Sequence, residues 1–321
     1  MEPAQFFTAS RVLIVAGKGG VGKTTVAATL ARAASRLGSA TLLVEVEGKS
    51  GLGRALGVPA LGYEPQVVPR DGQRDAELEV RAISPERALA DYLDQRELTR
   101  VLRRLQGQRL LDLLASSTPG VNDLLVLGKV KQIEKTGRPD LIIVDAPAAG
   151  HAMTFLRSAV GVLDSVESGP IRDQAEEVDL MLTDPARCQV LLITMAEETP
   201  VNETIETAYR LEDEVGVKLG PVVVNAVRRT VAGLDRPAAD AAHASGLELD
   251  ARLLRALDEA GRFHTSRTDL QREQLARLAD ELPLEQLRLP LLNGIGIGPV
   301  EVAHLATELV DQLSRLAAPA S

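Results

Sequence analysis

The 321-residue sequence predicts an α/β domain in which a mainly parallel sheet carries helices on both faces and an inserted helical subdomain. Three features of the chain predict it. Short apolar runs bounded by turn residues alternate with longer stretches of helical period, and runs that are apolar throughout suit strands covered on both sides. A glycine-rich turn follows the first run and leads straight into a helical stretch. No repeat, low-complexity tract or flexible linker divides the chain, so 1–321 reads as one domain bearing insertions.

In chain order, strands are expected at 12–16, 41–46, 78–83, 141–144, 190–194, 222–225 and 287–289. The first helix covers 23–37 and stops at Gly38, which suits a left-handed helix end. Ser84 with Pro85, and Thr199 with Pro200, each pair an N-cap with a proline at the first helical position. The stretches 84–137 and 150–184 exceed what a crossover helix requires and together predict the helical subdomain. An additional helical segment at 235–282 mixes charged and apolar residues at helical spacing, and a last helix covers 301–316.

Composition excludes several classes. With 36 Lys and Arg against 45 Asp and Glu, the formal charge of -9 argues against a protein that gains affinity by neutralising a nucleic-acid backbone. Four Phe, three Tyr and no Trp leave few stacking platforms, so no nucleic-acid partner is expected. Cys188 is the sole cysteine, which rules out an internal disulfide and an all-protein thiolate cluster within one chain. No signal-peptide-like start and no apolar run near about 18 residues is present, which reads as a soluble cytoplasmic protein without direct membrane insertion.

The chemistry concentrates after the first strand. Gly17, Lys18, Gly19, Gly20, Val21, Gly22, Lys23, Thr24 and Thr25 satisfy G-x-x-x-x-G-K-S/T in the strand-loop-helix setting of a P-loop NTPase. Glycines let successive N–H groups converge on one anion, and the helix from Lys23 adds its positive dipole end. Lys23 is expected to reach the β and γ phosphates and the Thr24 hydroxyl to ligate Mg²⁺. Lys18 is a second cation in the loop: either a solvated lysine, or one that reaches across a two-fold interface to phosphates held by a facing subunit.

Asp145 ends the apolar run 141–144, where a buried strand delivers a carboxylate beside bound Mg²⁺. The small-residue loop behind it, 146–150, leads to His151 and suits a switch near a γ phosphate. The second strand ends in Glu45 and Glu47, two apart on one face; Glu47, at the terminus beside Gly48, is the candidate for orienting the attacking water or touching the metal shell.

Together these segments resemble the ArsA-type family, the arsenite-pump and tail-anchored-protein-targeting branch of the deviant phosphate-loop ATPases, over most of the chain. GKGGVGKTT (17–25) is similar to the family's loop without a mismatch, and VDAPAAGHAMTFL (144–156) resembles its second switch. PGVNDLL (119–125) and ETPVNET (198–204) resemble further family segments. VVVNAV (222–227) resembles the strand whose Asn, here Asn225, reads the adenine edge, and LPLLNGIG (289–296), with Pro290, the segment that lies against the base. An amide both donates and accepts, as adenine does.

The resemblance implies Mg²⁺-dependent ATP hydrolysis by a dimer that opens and closes with nucleotide state, with Lys18 serving the partner's γ phosphate. The dimer would be a homodimer or a heterodimer with a paralogue, with a membrane-protein or hydrophobic-helix client as a further partner. The chain also departs from the pattern. The family's first switch reads S-T-D-P-A-H, whereas EVEGKS (45–50) puts Glu47 in place of the Asp and has no Pro or His after it. One cysteine does not supply the arsenite pump's thiolates, and the C-x-x-C that clips some targeting-factor dimers through zinc is absent.

Other readings stay open at this point. A partition or cell-division ATPase shares the loop, but the last helix carries Glu301, Glu308 and Asp311 against Arg315 and is no basic membrane anchor. A nucleotide-sensing subunit is favoured by the altered first switch. A chaperone or targeting factor is favoured by the leucine-rich helical segments, although leucines at helical spacing serve cores equally well.

Overall fold

A computed structural model describes residues 3–46, 51–95, 120–147, 149–294 and 296–317. Within them one sheet of eight strands runs in the order β3-β4-β2-β5-β1-β6-β7-β8. The strands are β1 (Val12–Gly17), β2 (Thr41–Val46), β3 (Gln66–Val67), β4 (Leu78–Ile83), β5 (Leu141–Asp145), β6 (Cys188–Met195), β7 (Val222–Val227) and β8 (Gln286–Pro290). Only the short edge strand β3 is antiparallel to its neighbour. The other neighbouring pairs are parallel.

The helices are α1 (Pro3–Thr8), α2 (Lys23–Arg36), α3 (Gly51–Leu56), α4 (Pro85–Gln95), α5 (Val121–Lys135), α6 (Ala149–Ser165), α7 (Pro170–Thr183), α8 (Glu198–Val215), α9 (Ala238–Ala244), α10 (Ala251–Glu281) and α11 (Pro299–Ala317). They cover both faces of the sheet, because successive strand residues point to opposite sides. Val12, Ile14 and Ala16 of β1 join one apolar cluster with residues of α5 to α8 and the end of α10. Leu13 and Val15 join a second cluster with α1, α2, α3 and α11. The predicted parallel sheet with helices on both faces is the fold observed.

Helix α2 lies directly on the sheet because its inward residues are small: Ala27, Ala28, Ala31, Ala33 and Ala34 are all fully buried between the strands and α11. It ends at Arg36 with Leu37 as C-cap, and Gly38 takes the left-handed conformation (φ +91°) expected of it. Helices α4 to α7 pack on one another within the stretches assigned to the helical subdomain, of which 96–119 lies outside the described residues. The segment 235–282 divides into α9 and α10, and α10 opens on Asp250, whose carboxylate accepts from the N–H groups of Arg252 and Leu253 at 2.8 and 2.9 Å.

Several ends differ from expectation. Helix α8 starts at Glu198, with extended Glu197 as its N-cap, rather than being capped by Thr199. The chain turns early because the Glu197 N–H folds back onto the Met195 carbonyl at 2.8 Å. Pro200 then falls inside the first turn, where its missing N–H leaves no helical bond unmade. Strands β1 and β5 to β8 run one or two residues past the expected ends, and α1 and β3 were not expected at all. Helix α1 is held by Phe6 and Phe7, both buried and packed edge to face with ring centroids 4.9 Å apart.

Candidate nucleotide site

The strands of a parallel sheet end at one edge, and ligands collect there beside the strand from which successive connections leave in opposite directions. Here that strand is β1: the chain leaves it toward β2 on one side and returns from β5 to β6 on the other. Gly17 is its last residue, and its backbone (φ +153°) lies so close to β6 that a Cβ would sit 2.3 Å from the Ile193 carbonyl oxygen. Gly22 is left-handed (φ +89°), and a Cβ there would sit 2.2 Å from Asn225 Nδ2. Helix α2 follows without a side-chain cap, which leaves its positive end to the loop and whatever the loop holds.

Alternation places the acidic residues. Ile143 belongs to the cluster on the α2 side of the sheet, so Asp145, two residues on, faces α2 as well. There it accepts a hydrogen bond from Thr24 Oγ1 at 2.7 Å. A hydroxyl beside a carboxylate is a hard-oxygen pair of the kind Mg²⁺ takes, so these two residues fit the ion. Glu45 stands in register with Asp145 on β2 and is buried too, which brings a second carboxylate to the same edge. Lys23 is buried, and its Nζ donates to the Lys18 carbonyl at 3.1 Å, arching back over the loop. The Lys18 ammonium is paired with the Glu203 carboxylate on α8.

Asn225 is brought to the loop by a bulge. The β7–β8 register slips between Val224 and Val227, and Ala226 within the slip has φ +56°. Bulges re-aim side chains, and this one turns the Asn225 amide onto the loop, where Nδ2 donates to the Val21 carbonyl at 2.9 Å. The residue that follows β7 is fixed from α10: the Gln271 side chain accepts from the Arg228 N–H at 2.9 Å and donates to its carbonyl at 3.1 Å. Pro290 ends β8 opposite Val227, one strand over from Asn225. Beyond the ends of β6, β7 and β8 opens a cleft of about 460 Å³ lined by Met195, Ala226, Gln274 and Leu291 among others.

The structure thus gathers the 17–25 loop, Asp145 and Asn225 at one point, with Pro290 at the neighbouring strand end. Glu47 lies outside the described residues, and so does part of each switch segment. Sequence reasoning missed Glu203, which no local motif connects to Lys18, and the bulge at Ala226. It named Glu45 but passed it over; reading β2 and β5 in register would have set it beside Asp145. Among the described residues no helix is long and apolar enough to cross a membrane.

Comparison with known proteins places this geometry. A family model described as Anion-transporting ATPase matches residues 10–168, which contain both the loop and Asp145. ATPase BagA of Mycobacterium tuberculosis is 32% identical over 315 residues, 90% of this chain and 89% of that protein. A Halobacterium salinarum protein that bears the name of an arsenical pump-driving ATPase is 29% identical over 234 residues, 67% of this chain and 35% of its own length. ATPase get3 of Schizosaccharomyces japonicus is 30% identical over 149 residues, 46% of this chain and 44% of that protein.

Proposed function

Because the chain belongs to the ArsA-type family of anion-transporting ATPases and is an ATP-hydrolysing enzyme, we propose that it turns over MgATP in a dimer closed face to face around two nucleotides. The backbone amides of 19–24 and the Lys23 ammonium hold the phosphates. Thr24 and Asp145 hold Mg²⁺, with Glu47 at the edge of its shell; when bound, the ion neutralises phosphate charge. Glu47 orients the attacking water, and Lys18 supplies positive charge to the γ phosphate of the facing subunit. Asn225 and Pro290 take the adenine. The facing subunit is a second copy or a paralogue.

The observation that supports this reading best is the 2.7 Å contact between Thr24 and Asp145. It joins the first turn of α2 to the end of β5, two segments 121 positions apart, and packing alone has no need of a hydroxyl-carboxylate pair there. Phosphate release at saturating MgATP tests it. Asp145→Asn and Lys23→Ala are each expected to lower turnover by about a hundredfold or more, as loss of a preorganised charge at a reacting centre does. Turnover at the unmodified level in Asp145→Asn would remove that residue from the metal site.

The altered first switch favours a second reading, a subunit that senses nucleotide without rapid turnover. Undiminished ATP binding with no phosphate release from the unmodified chain would select it.

A further inference from the structure

Lys18 can serve a facing subunit only if its ammonium is available, and within the single chain it is paired with Glu203. Glu203 lies in the second turn of α8, the helix that begins where β6 ends. Since β6 pairs with β1 as far as Gly17, opposite Ile193, this part of α8 runs beside the open flank of the loop. The loop is thereby closed on itself twice: Lys23 is turned onto the Lys18 carbonyl, and the Lys18 side chain is drawn aside to α8. The two paired side chains are 38% and 39% exposed, so the pair can exchange with another ligand at small cost.

Resting on the cross-subunit reading of Lys18, we propose that Glu203 is a positioning residue that parks Lys18 inside its own chain until a second, triphosphate-loaded subunit arrives. A single half-exposed carboxylate competes poorly with a triphosphate, whose several negative charges lie in a partly desolvated interface. Lys18 therefore exchanges one ion pair for a stronger one, and Glu203 returns to water. With no γ phosphate opposite, the balance tips back and Lys18 returns to α8. The parked lysine also keeps a second cation away from the ammonium of Lys23, which suits a loop that must bind its nucleotide before the dimer closes. Helix α8 is tied as well to α6, the helix that follows Asp145, through Arg157 and Glu214 at 2.9 Å. The parking helix thus rests against the element nearest the second switch.

Two measurements test the proposal on the full chain. The first is modification of Lys18 by an amine-reactive acetylating ester without nucleotide, followed by mass spectrometry of the peptide that carries it. Glu203→Gln is expected to speed this modification by about two- to fivefold, the range an exposed pair provides, while Glu203→Asp stays near the unmodified rate. The second is ATP turnover against protein concentration. In Glu203→Gln the half-maximal concentration is expected to fall by about three- to thirtyfold, because two such pairs no longer have to open for each dimer. A role confined to helix stability would instead lower the melting temperature and leave the modification rate unchanged.

Equal Lys18 reactivity in the unmodified chain and Glu203→Gln overturns the parking role, as does Glu203→Asp behaving like Glu203→Gln. Lys18→Met separates this from failure of the underlying reading. If Lys18→Met retains full turnover, the cross-subunit assignment is wrong whatever Glu203 does. If it abolishes turnover while Glu203→Gln keeps the original concentration dependence, the assignment stands and the parking is wrong.

Discussion

Gly17 and Gly22 belong to one motif, yet the structure separates their duties. A Cβ at Gly17 would meet backbone, the Ile193 carbonyl oxygen of the neighbouring strand, which cannot move without opening the β1–β6 ladder. A Cβ at Gly22 would meet only the end of the Asn225 side chain, which can turn away. Gly17→Ala is therefore expected to cost about 3 kcal/mol or more of stability, in the range of the severe point mutations. Gly22→Ala is expected to cost about 1–2 kcal/mol for its left-handed backbone and to weaken ATP binding at least tenfold by displacing Asn225 from the loop. Urea denaturation and calorimetric titration with MgATP check the pair; equal stability losses in the two variants would contradict the division. The glycine-rich motif and its place between the first strand and the first long helix were legible from nine consecutive residues. That Lys18 meets Glu203, 185 positions away, was not, because a contact between loop and helix exists only once β1 and β6 are paired. Asn225 was visible only by resemblance, since the bulge that aims it depends on how β8 registers against β7.

At the scale of elements, interiors were readable and ends were not. Apolar runs located the strands because burial on both faces demands them, whereas the start of α8 turned on one backbone bond from Glu197 to Met195 that leaves no mark in the pattern. Helices α5 and α7 are joined by charges no periodicity reveals. Lys131 and Lys135 of α5 both reach Glu177 of α7, with Lys131 at 3.0 Å, and Lys131 also donates to Gln174 at 2.9 Å. Hydrogen bonds from Lys135 and then Lys131 hold the Glu177 carboxyl well below the usual carboxylate range, down to about 2. A carboxylate whose pKa is lower folded than unfolded stabilises the protein fully above its unfolded pKa, and that contribution fades as pH falls toward the folded value. The contribution of Glu177 is accordingly whole above about pH 5 and is lost between there and pH 2. Because Glu177 is partly exposed, solvent screening limits it to about 1 kcal/mol. Glu177→Gln is expected to lower stability by about that amount at pH 7 and by nothing measurable near pH 2, with the difference read from denaturant midpoints across the pH range. A loss independent of pH would mean that Glu177 acts by packing rather than by charge.

For the molecule as a whole, the central strand couples the nucleotide loop to global stability, and Cys188 reports on it. This cysteine opens β6 in register with Val12 of β1, is fully buried, and has its thiol pushed up to about 12, chiefly by burial. A thiol in that state is inert to disulfide reagents, so modification has to await an opening that separates β6 from its neighbours. When closing outpaces modification, the labelling rate follows the equilibrium population of that open form. A ligand that binds only the closed form lowers this population by the factor one plus its concentration over Kd. At a hundred times Kd, MgATP should therefore slow labelling of Cys188 by about a hundredfold, equivalent to about 2.7 kcal/mol. Lys23→Ala should label at a rate that MgATP barely changes, because the loop then lacks its phosphate-binding cation. The distance between probe and ligand gives the measurement its force: Cys188 begins β6 at the edge of the sheet opposite the loop, so direct shielding by a nucleotide cannot imitate the effect. Labelling that stays fast under saturating MgATP would show either that β6 opens without releasing the nucleotide or that the loop does not grip a triphosphate. Titration calorimetry on the same sample decides between them, since only the first leaves the binding heat intact.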